Sequence, residues 1–500
     1  MTERIIVIGA GIAGLATAVA LRRTGYEVSV IEQRPAADGT GAGISIWPNA
    51  LAALDTLGVG TDVRDAGGRI SAGALRWRDG RWLRRPDTDR IVRALGEPLV
   101  VIHRARLTEI LTDALPAGTV TYGRTATALE VSPTSARILF SDGEVTEVDA
   151  VVGADGVDSM VARHLNGDLP RRYAGYTAWR GIASYALDPD LAGETMGPGM
   201  EVGHVPIRAS GATGIDPGPD HTYWFATRRA PQGQTSPGGE HAHLTEVFGG
   251  WPEPIPSLLA STDAAAVLRN DLYDRKWAGR WARHRAVIVG DAAHPMRPHL
   301  GQGGCQGLED AAILAAWTTS EPDLSAAFAR FETFRRRRVR GLVAESRTVG
   351  RVVNLRPRCS APRRAGRRHW SRRPCWPGTW RRWPAVRRSC CRRCEAQRGW
   401  KAVTAVCTAW HILRKSKTPS TAPPRMAWHP AAAGAGADGT PGTLKTAGVA
   451  PRVPHLGQAP RPWVRSTFSA TRICSAREAR AGEPTPPLAA QVACLNCNPP

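Results

Sequence analysis

Residues 4–33 read RIIVIGAGIAGLATAVALRRTGYEVSVIEQ. The β-branched run Ile5–Ile8 predicts a short buried strand, and a glycine-rich turn follows it. Apolar residues then recur at helical spacing from Leu15 until Gly25 ends the pattern. Glu27–Gln33 alternates and predicts a second strand. Strand, helix and strand form one βαβ unit, which implies a parallel sheet covered by helices and an α/β fold.

The rest of the first 355 residues extends this picture. ALRWRDGRWLRR (74–85) alternates around Asp79-Gly80 and predicts a hairpin. RARLTEILTDAL (104–115) has helical spacing. ARILFSDGEVTEVDAVVGADG (136–156) predicts a hairpin around Asp142-Gly143, then a buried strand ending at Gly153. Residues 176–275 hold short alternating strands, HTYWFATRR (221–229) among them, and suggest an antiparallel sheet. AVIVGDAAH (286–294) predicts a buried strand running into a loop. Residues 306–317 and 325–353 predict helices. The arginine run Arg335–Arg338 lies inside the second of these and reads as a solvated helical face. No internal repeat is visible.

Composition divides the chain in two. The net charge is +22 over 500 residues, but residues 356–500 hold 27 Lys+Arg and 4 Asp+Glu, against 39 and 40 in residues 1–355. Nine of the ten cysteines follow residue 358, and Cys305 alone precedes it. The front is a near-neutral globular chain suited to a reducing cytosol. No apolar run reaches the roughly 18 residues of a membrane span. The N-terminus lacks the pattern of a signal peptide, with glycines where an apolar core would be. A cytoplasmic enzyme with no membrane span is expected.

The tail holds five leucines in 145 residues, against 29 in the preceding 355, and shows no sustained apolar period. It is expected to be disordered, because it cannot bury a core. Its stretch RRPCWPGTWRRWPAVRRSCCRRC (372–394) suggests a zinc or nucleic-acid module at first sight. Cys391/Cys394 and Cys494/Cys497 are, however, about 100 residues apart, where a zinc ribbon needs roughly 15–20. The composition suits translation in a shifted frame: CTG-CTG read one base late yields TGC, cysteine, and CTG-G yields TGG, tryptophan. No nucleic-acid partner is expected, and binding nucleic acid through the tail is the alternative from another functional class.

Gly9-Ala10-Gly11-Ile12-Ala13-Gly14 is a G-x-G-x-x-G between a strand and a helix. Gly9 permits the tight turn, Gly11 the approach of a pyrophosphate, and Gly14 close helix–strand packing. The pyrophosphate would sit on the helix N-terminus. Glu32, at the end of the second strand, can accept from ribose hydroxyls and would repel a 2′-phosphate. The site therefore suits FAD or NAD, with Gly9, Gly11, Ile12, Ala13, Gly14, Glu32 and Arg34 as expected contacts.

Four further segments carry a family resemblance. They are GAGISIWPNALAALDTLGV (41–59), HRARLTEIL with Arg104 and Leu107, GADGVDSMVAR with Asp155 and Gly156, and GDAAHPMRPHLGQGGCQGLEDA with Gly290 and Asp291. Over roughly residues 3–355 the chain resembles the FAD-dependent aromatic hydroxylases, single-component flavoprotein monooxygenases. The resemblance implies an enzyme using FAD, NADH or NADPH as a transient reductant, and O2 to hydroxylate an aromatic or other electron-rich small molecule. Alkene epoxidation is the alternative within the family. It also implies a Rossmann-like FAD-binding domain (1–70, 96–175 and 276–355) with an interleaved antiparallel-sheet substrate domain (71–95 and 176–275). No second G-x-G-x-x-G opens a separate nicotinamide domain.

The implied flavin contacts add Ser45, Arg104, Asp155, Gly156, Asp291 and the loop Gly301, Gln302, Gly303 and Gly304. Asp291 follows a buried strand, where a carboxylate can hold a ribityl or ribose hydroxyl. The backbone N–H groups of the loop can face the flavin pyrimidine edge. Candidate substrate residues are Trp179 (wall of an aromatic pocket, or core), Arg180 (partner of a carboxylate or phenolate, or surface), His204 (base for phenol ionisation, or structural) and Tyr223. Trp224 should point away from Tyr223. Some relatives acting on urate carry an amide near Arg180, which this chain lacks. No side chain is assigned the catalytic chemistry, since the flavin performs it. His294 and His299 lack a second ligand at metal-binding spacing, so no metal is expected, and no G-x-S-x-G elbow suggests a hydrolase.

Overall fold

The computed structural model describes residues 2–37, 42–70, 73–85, 92–93, 95–207 and 221–354. The tail, with its paired cysteines and the frame-shift reading, lies outside the described residues.

The chain begins with β1 (Arg4–Ile8), α1 (Ile12–Arg23), β2 (Glu27–Ile31), β3 (Gly43–Ile46), α2 (Pro48–Leu57), α3 (Gly60–Ala66) and β4 (Gly68–Ile70). Then follow β5 (Ala74–Trp77), β6 (Trp82–Arg84), β7 (Leu99–His103), α4 (Arg104–Asp113), β8 (Val120–Thr121), β9 (Ala126–Val131), β10 (Ala136–Phe140), β11 (Val145–Val148), β12 (Ala150–Gly153) and α5 (Met160–Asn166). The second half holds β13 (Arg171–Ala183), β14 (Gly193–Gly197), β15 (Met200–Ile207), β16 (His221–Arg228), α6 (Glu240–Phe248), α7 (Ile255–Ala260), β17 (Leu268–Arg275), β18 (Ala282–Arg283), β19 (Ala286–Ile288), α8 (Gly303–Ser320) and α9 (Leu324–Val353).

These strands make four sheets. A six-stranded sheet in the order β18-β19-β12-β1-β2-β8 is parallel except for β18. Its central strands read as continuous apolar runs because helices cover both faces. Ile5, Val7, Val151 and Val152 are buried in the main core with Leu15, Leu308, Phe328 and Phe331. Phe331 lies 6.4 Å, ring centre to ring centre, from Trp281. Phe331→Ala is expected to cost about 3–5 kcal/mol of stability, read from denaturant midpoints.

The seven-stranded sheet runs β17-β13-β16-β15-β14-β5-β6. It is antiparallel, as residues 176–275 suggest, apart from the parallel pair β14 and β5. That pair brings the 74–85 hairpin to the edge of strands more than 100 residues later. Three-stranded sheets β3-β7-β4 and β11-β10-β9 complete the set. β3 and β4 both pair with β7, laying the 43–46 segment beside the seven-stranded sheet.

One sequence expectation is corrected here. Arg335, read as part of a solvated face, is fully buried. Its guanidinium donates to Asp310 Oδ1 and Glu309 Oε2, each at 2.6 Å, and to the Gln306 carbonyl at 3.1 Å. Arg338 also donates to Glu309, at 2.7 and 2.8 Å. Arg337 is exposed, and Arg336, paired with Glu332 at 2.8 Å one turn earlier, is partly so; these two behave as surface helical arginines. The run is amphipathic in charge: α9 docks on α8 through two of its arginines.

Candidate functional site

The glycine turn joins β1 to α1 and is held from three sides. Gly9 has φ +107°, and a Cβ there would lie 2.5 Å from the Ala154 carbonyl oxygen at the end of β12. A Cβ on Gly14 would lie 1.9 Å from the Gly9 carbonyl oxygen. The chain itself therefore forbids a side chain at both positions. Gly11 differs, because a Cβ there meets nothing within 4 Å. Its glycine leaves an open approach to the first turn of α1, which has no acidic residue and no capping side chain. That turn presents free N–H groups and a positive dipole end to an incoming anion. Glu32 stands beside it: one carboxylate oxygen accepts from Ala10 N at 2.8 Å, the other from Arg34 N at 3.0 Å. Ile12 is buried under the turn and Ala13 partly so. The donor set and the open glycine fit an adenine dinucleotide.

The D-G and G-D segments converge on this turn. Asp155 directs one carboxylate oxygen to the N–H groups of Met160 (2.7 Å) and Val161 (3.3 Å), so it caps α5. Its other oxygen is buried without a hydrogen-bond partner, and burial raises its pKa. Gly156, at φ +76°, makes the turn between them. Arg275, which sequence reasoning missed, ties the segments together. It is buried and donates to the carbonyls of Val157 (2.9 Å) and Ala292 (2.6 Å). Its only advance signal is an arginine closing the strand LRNDLYDR.

Asp291 follows β19 and keeps solvent-exposed surface. Desolvation by the surrounding protein raises its pKa, opposed by His294, Arg104 and Arg275. Arg104, exposed at the start of α4, is thus close enough to act on that carboxyl. Asp310 on α8 fixes the G-D segment by accepting from Gly290 N at 2.8 Å and binding His294 Nε2 at 2.6 Å.

The 301–304 loop is seated on β3. Gly301 has φ +60°, and its Cβ would lie 3.0 Å from Trp47 Nε1; a Cβ on Gly304 would lie 2.8 Å from Ile44 Cδ1. Cys305 donates to the Ser45 carbonyl at 3.4 Å, and burial pushes its thiol up to about 12. The thiol is a small buried donor and no nucleophile. Gln302 turns inward and accepts from Asn49 (3.2 Å) and Gln306 (3.0 Å). Its side chain is thus committed to the protein, and only its backbone remains for a ligand. Gly303 begins α8, where the nearest atom to a Cβ is Met296 Cγ at 3.6 Å.

The seven-stranded sheet turns one face toward β3 and this loop. Tyr223 lies so close to β3 that a Cβ on Gly43 would sit 2.5 Å from its ring. Phe225, centred 6.4 Å from Tyr223, folds over Gly203. Arg180 pairs across the strands with Phe225, donates to Asn270 Oδ1 at 2.8 Å and acts on the Tyr223 hydroxyl. Glu201 on the same face accepts from Thr227 (3.0 Å) and pairs with His299 Nδ1 (3.1 Å), whose Nε2 meets the Tyr176 hydroxyl at 2.8 Å. That chain of groups was not legible in advance, since Glu201 and His299 stand 98 residues apart.

Two candidate substrate residues lie on the opposite face of the sheet from Tyr223. Trp179 pairs with Ala226 and packs with Trp224, Phe248 and Leu258 under α6 and α7. Its Nε1 donates to Glu240 at 2.6 Å, so it is core. His204 pairs directly with Trp224 and shares that face. It is buried with both ring nitrogens unpartnered, and burial together with the charge of Arg76 brings its pKa down to about 3. An imidazole so reluctant to take a proton is no base for a phenol. Trp224 does point away from Tyr223, as strand alternation requires.

Among the described residues no group of three or more His, Cys, Asp or Glu could hold a metal ion, and no helix is long and apolar enough to cross a membrane.

Known proteins share this arrangement. The FAD binding domain family model matches residues 2–341. The chain is 38% identical over 350 residues to an aurachin C monooxygenase/isomerase of Stigmatella aurantiaca, covering 70% of this chain and 89% of the relative. It is 38% identical over 326 residues to a 3-amino-4-hydroxybenzoate 2-monooxygenase of Streptomyces cremeus, covering 64% and 79%. The crystal structure of Klebsiella pneumoniae HpxO complexed with FAD and uric acid superposes with a TM-score of 0.64 at 30% identity, covering 70% of this chain and 89% of that one. The chain thus belongs to the FAD-binding family matched here and is a flavoprotein monooxygenase of the kind that hydroxylates small molecules.

Proposed function

We propose that the enzyme takes electrons from NADH or NADPH and, with O2, hydroxylates an electron-rich aromatic or heteroaromatic molecule held on the Tyr223–Phe225–Arg180 face. The carrying observation is Gly11, the glycine of the turn whose Cβ would meet no part of the chain, beside the carboxylate of Glu32 and the charged groups around Asp291. In this reading Gly11 and the first N–H groups of α1 receive the pyrophosphate, with Ile12 and Ala13 beneath it. Glu32 and Arg34 meet the adenosine ribose. Arg104 and Asp291 hold the rest of the chain of the cofactor, with Asp155 and Gly156 shaping the turn behind it. Ser45 and the backbone of Gly301–Gly304 border the ring system. When bound, FAD supplies the redox and oxygen chemistry that side chains lack. The protein's part is to orient both partners and exclude water. Tyr223 and Phe225 offer the apolar floor for that, and Arg180 a cation for an acidic substituent.

The seven-stranded sheet draws its strands from residues 74–84 and 171–275, which supports a substrate domain of 71–95 and 176–275. The lone buried thiol of the described residues suits a cytosolic enzyme. A relative acting on 3-amino-4-hydroxybenzoate supports an aromatic acid as substrate. The test is oxidation of NADH and of NADPH by the purified yellow protein over a panel of phenols and aromatic acids. Oxidation stimulated by one of them, with one oxygen atom added to it, is expected. A flavin-loaded protein that no aromatic compound stimulates overturns the reading.

Every core residue named above precedes residue 355. Truncation after Leu355 is therefore expected to leave flavin content and melting temperature within error of the full chain.

A further inference from the structure

One row of the seven-stranded sheet deepens this reading, on which it rests. Pairing runs straight across four strands: Glu194 on β14 opposes Gly203 on β15, Gly203 opposes Phe225 on β16, and Phe225 opposes Arg180 on β13. Residues directly opposite share a face. The next row on that face holds Glu201, bound to His299, two residues before Gly301. Leu75, which opposes Glu194 on the other side, packs with Leu300. The whole row therefore faces the 301–304 loop.

Its two ends are chemically opposite. Arg180 is a cation. Glu194 is half-buried and its carboxylate makes no hydrogen bond to another described residue, unlike that of Glu201, which is committed to Thr227 and His299. Between them Phe225 lies flat over Gly203, where any Cβ would collide with its ring. Three strand spacings separate the end residues, about 14 Å between Cα atoms. The Arg180 guanidinium, which donates to Asn270 on β17 at 2.8 Å, and the Glu194 carboxylate thus stand on either side of Phe225.

We infer that Arg180 and Glu194 select a ring that carries an acidic group on one side and an amine or ring N–H donor on the other, with Phe225 beneath. Burial and the neighbouring Glu201 push Glu194 up to about 8, with Arg84 opposing. A carboxyl in that state accepts from a neutral N–H and ionises readily beside a cationic one. A phenol carboxylate without nitrogen leaves Glu194 unpaired, and a site built to receive an N–H discriminates strongly against its absence.

The test uses the flavin-loaded enzyme and three matched probes, followed by the perturbation of the flavin absorbance. 4-Aminosalicylate carries both groups, salicylate lacks the amine, and 3-aminophenol lacks the carboxylate. 4-Aminosalicylate is expected to bind at least about tenfold more tightly than either of the others. Glu194→Leu should erase the preference over salicylate, because the cost of leaving that carboxyl unpaired disappears and salicylate binds more tightly. Arg180→Met should erase the preference over 3-aminophenol. Glu194→Gln keeps an acceptor oxygen and should retain part of the amine preference, which separates recognition from a folding defect. Equal binding of the three probes, no binding of any, or an amine preference that survives Glu194→Leu overturns the inference. A protein that takes up no FAD instead overturns the flavin reading beneath it.

Discussion

Gly11→Val should yield a folded but colourless protein. The Cβ of residue 11 points into open space, with no atom of the chain within 4 Å. Residue 11 also has ordinary extended backbone, at φ −73° and ψ 174°, which valine adopts without strain. Nothing in the fold therefore opposes the substitution. A pyrophosphate drawn to the first turn of α1 meets the two methyl groups instead of bare backbone. FAD affinity should fall by about 100-fold or more, equivalent to about 3 kcal/mol. The checks are the ratio of flavin to protein absorbance after purification and a melting curve of the flavin-free protein. A yellow variant with unchanged flavin affinity would remove the cofactor from this turn.

Its neighbours behave differently, which makes the experiment specific. A Cβ on Gly14 would lie 1.9 Å from the Gly9 carbonyl oxygen, so Gly14→Ala must displace α1 from β1. That substitution should lower the melting temperature of the flavin-free protein, by an overpacking cost of about 1–3 kcal/mol. One motif thus holds glycines kept for the fold and a glycine kept for the ligand.

The same division explains how much could be read in advance. The βαβ unit, the glycine turn and Glu32 lie within 33 residues, and local periodicity and turn chemistry suffice to place them. The face a strand residue presents is another matter. Alternation separates Tyr223 from Trp224, but nothing local says which side α6 and α7 will cover. Sequence leaves Trp179 and His204 open between pocket and core for that reason, and strand pairing with Ala226 and Trp224 puts both on the helix-covered side. Glu194 and Glu201 attract no notice in sequence. They matter because β14 and β15 lie beside Phe225 and His299, contacts that span up to 98 residues. Arg275 and Arg335 escaped for a related reason: arginine usually marks surface, and its burial depends on carboxylates and carbonyls supplied from distant segments.

Arg335 supplies the second large effect. It is fully buried between Asp310 and Glu309 of α8, and it anchors α9 across the core. Arg335→Met removes the cation and leaves two buried carboxylates short of compensation, which costs about 3–5 kcal/mol. The cost should depend on pH, and the sign follows from Glu309. Burial alone would raise that carboxyl, but Arg335 and Arg338 bring it down from 4.5 to about 2. A carboxyl depressed in the folded state adds stability above its unfolded pKa and loses it as pH falls through the folded one. The penalty of Arg335→Met should therefore be full near pH 7 and shrink to about half or less near pH 3, where the carboxylates take up protons. Asp310 also holds Gly290 N, one residue before Asp291, so FAD affinity should fall with stability. Arg336→Met is the control. Its pair with Glu332 is partly exposed and lies within one helix turn, so it should cost less than about 1 kcal/mol. Denaturant midpoints of both variants at pH 3 and pH 7 decide the matter. An Arg335→Met penalty no larger than that of Arg336→Met, or equal at the two pH values, would show that the buried pairings do not hold α9 to the site.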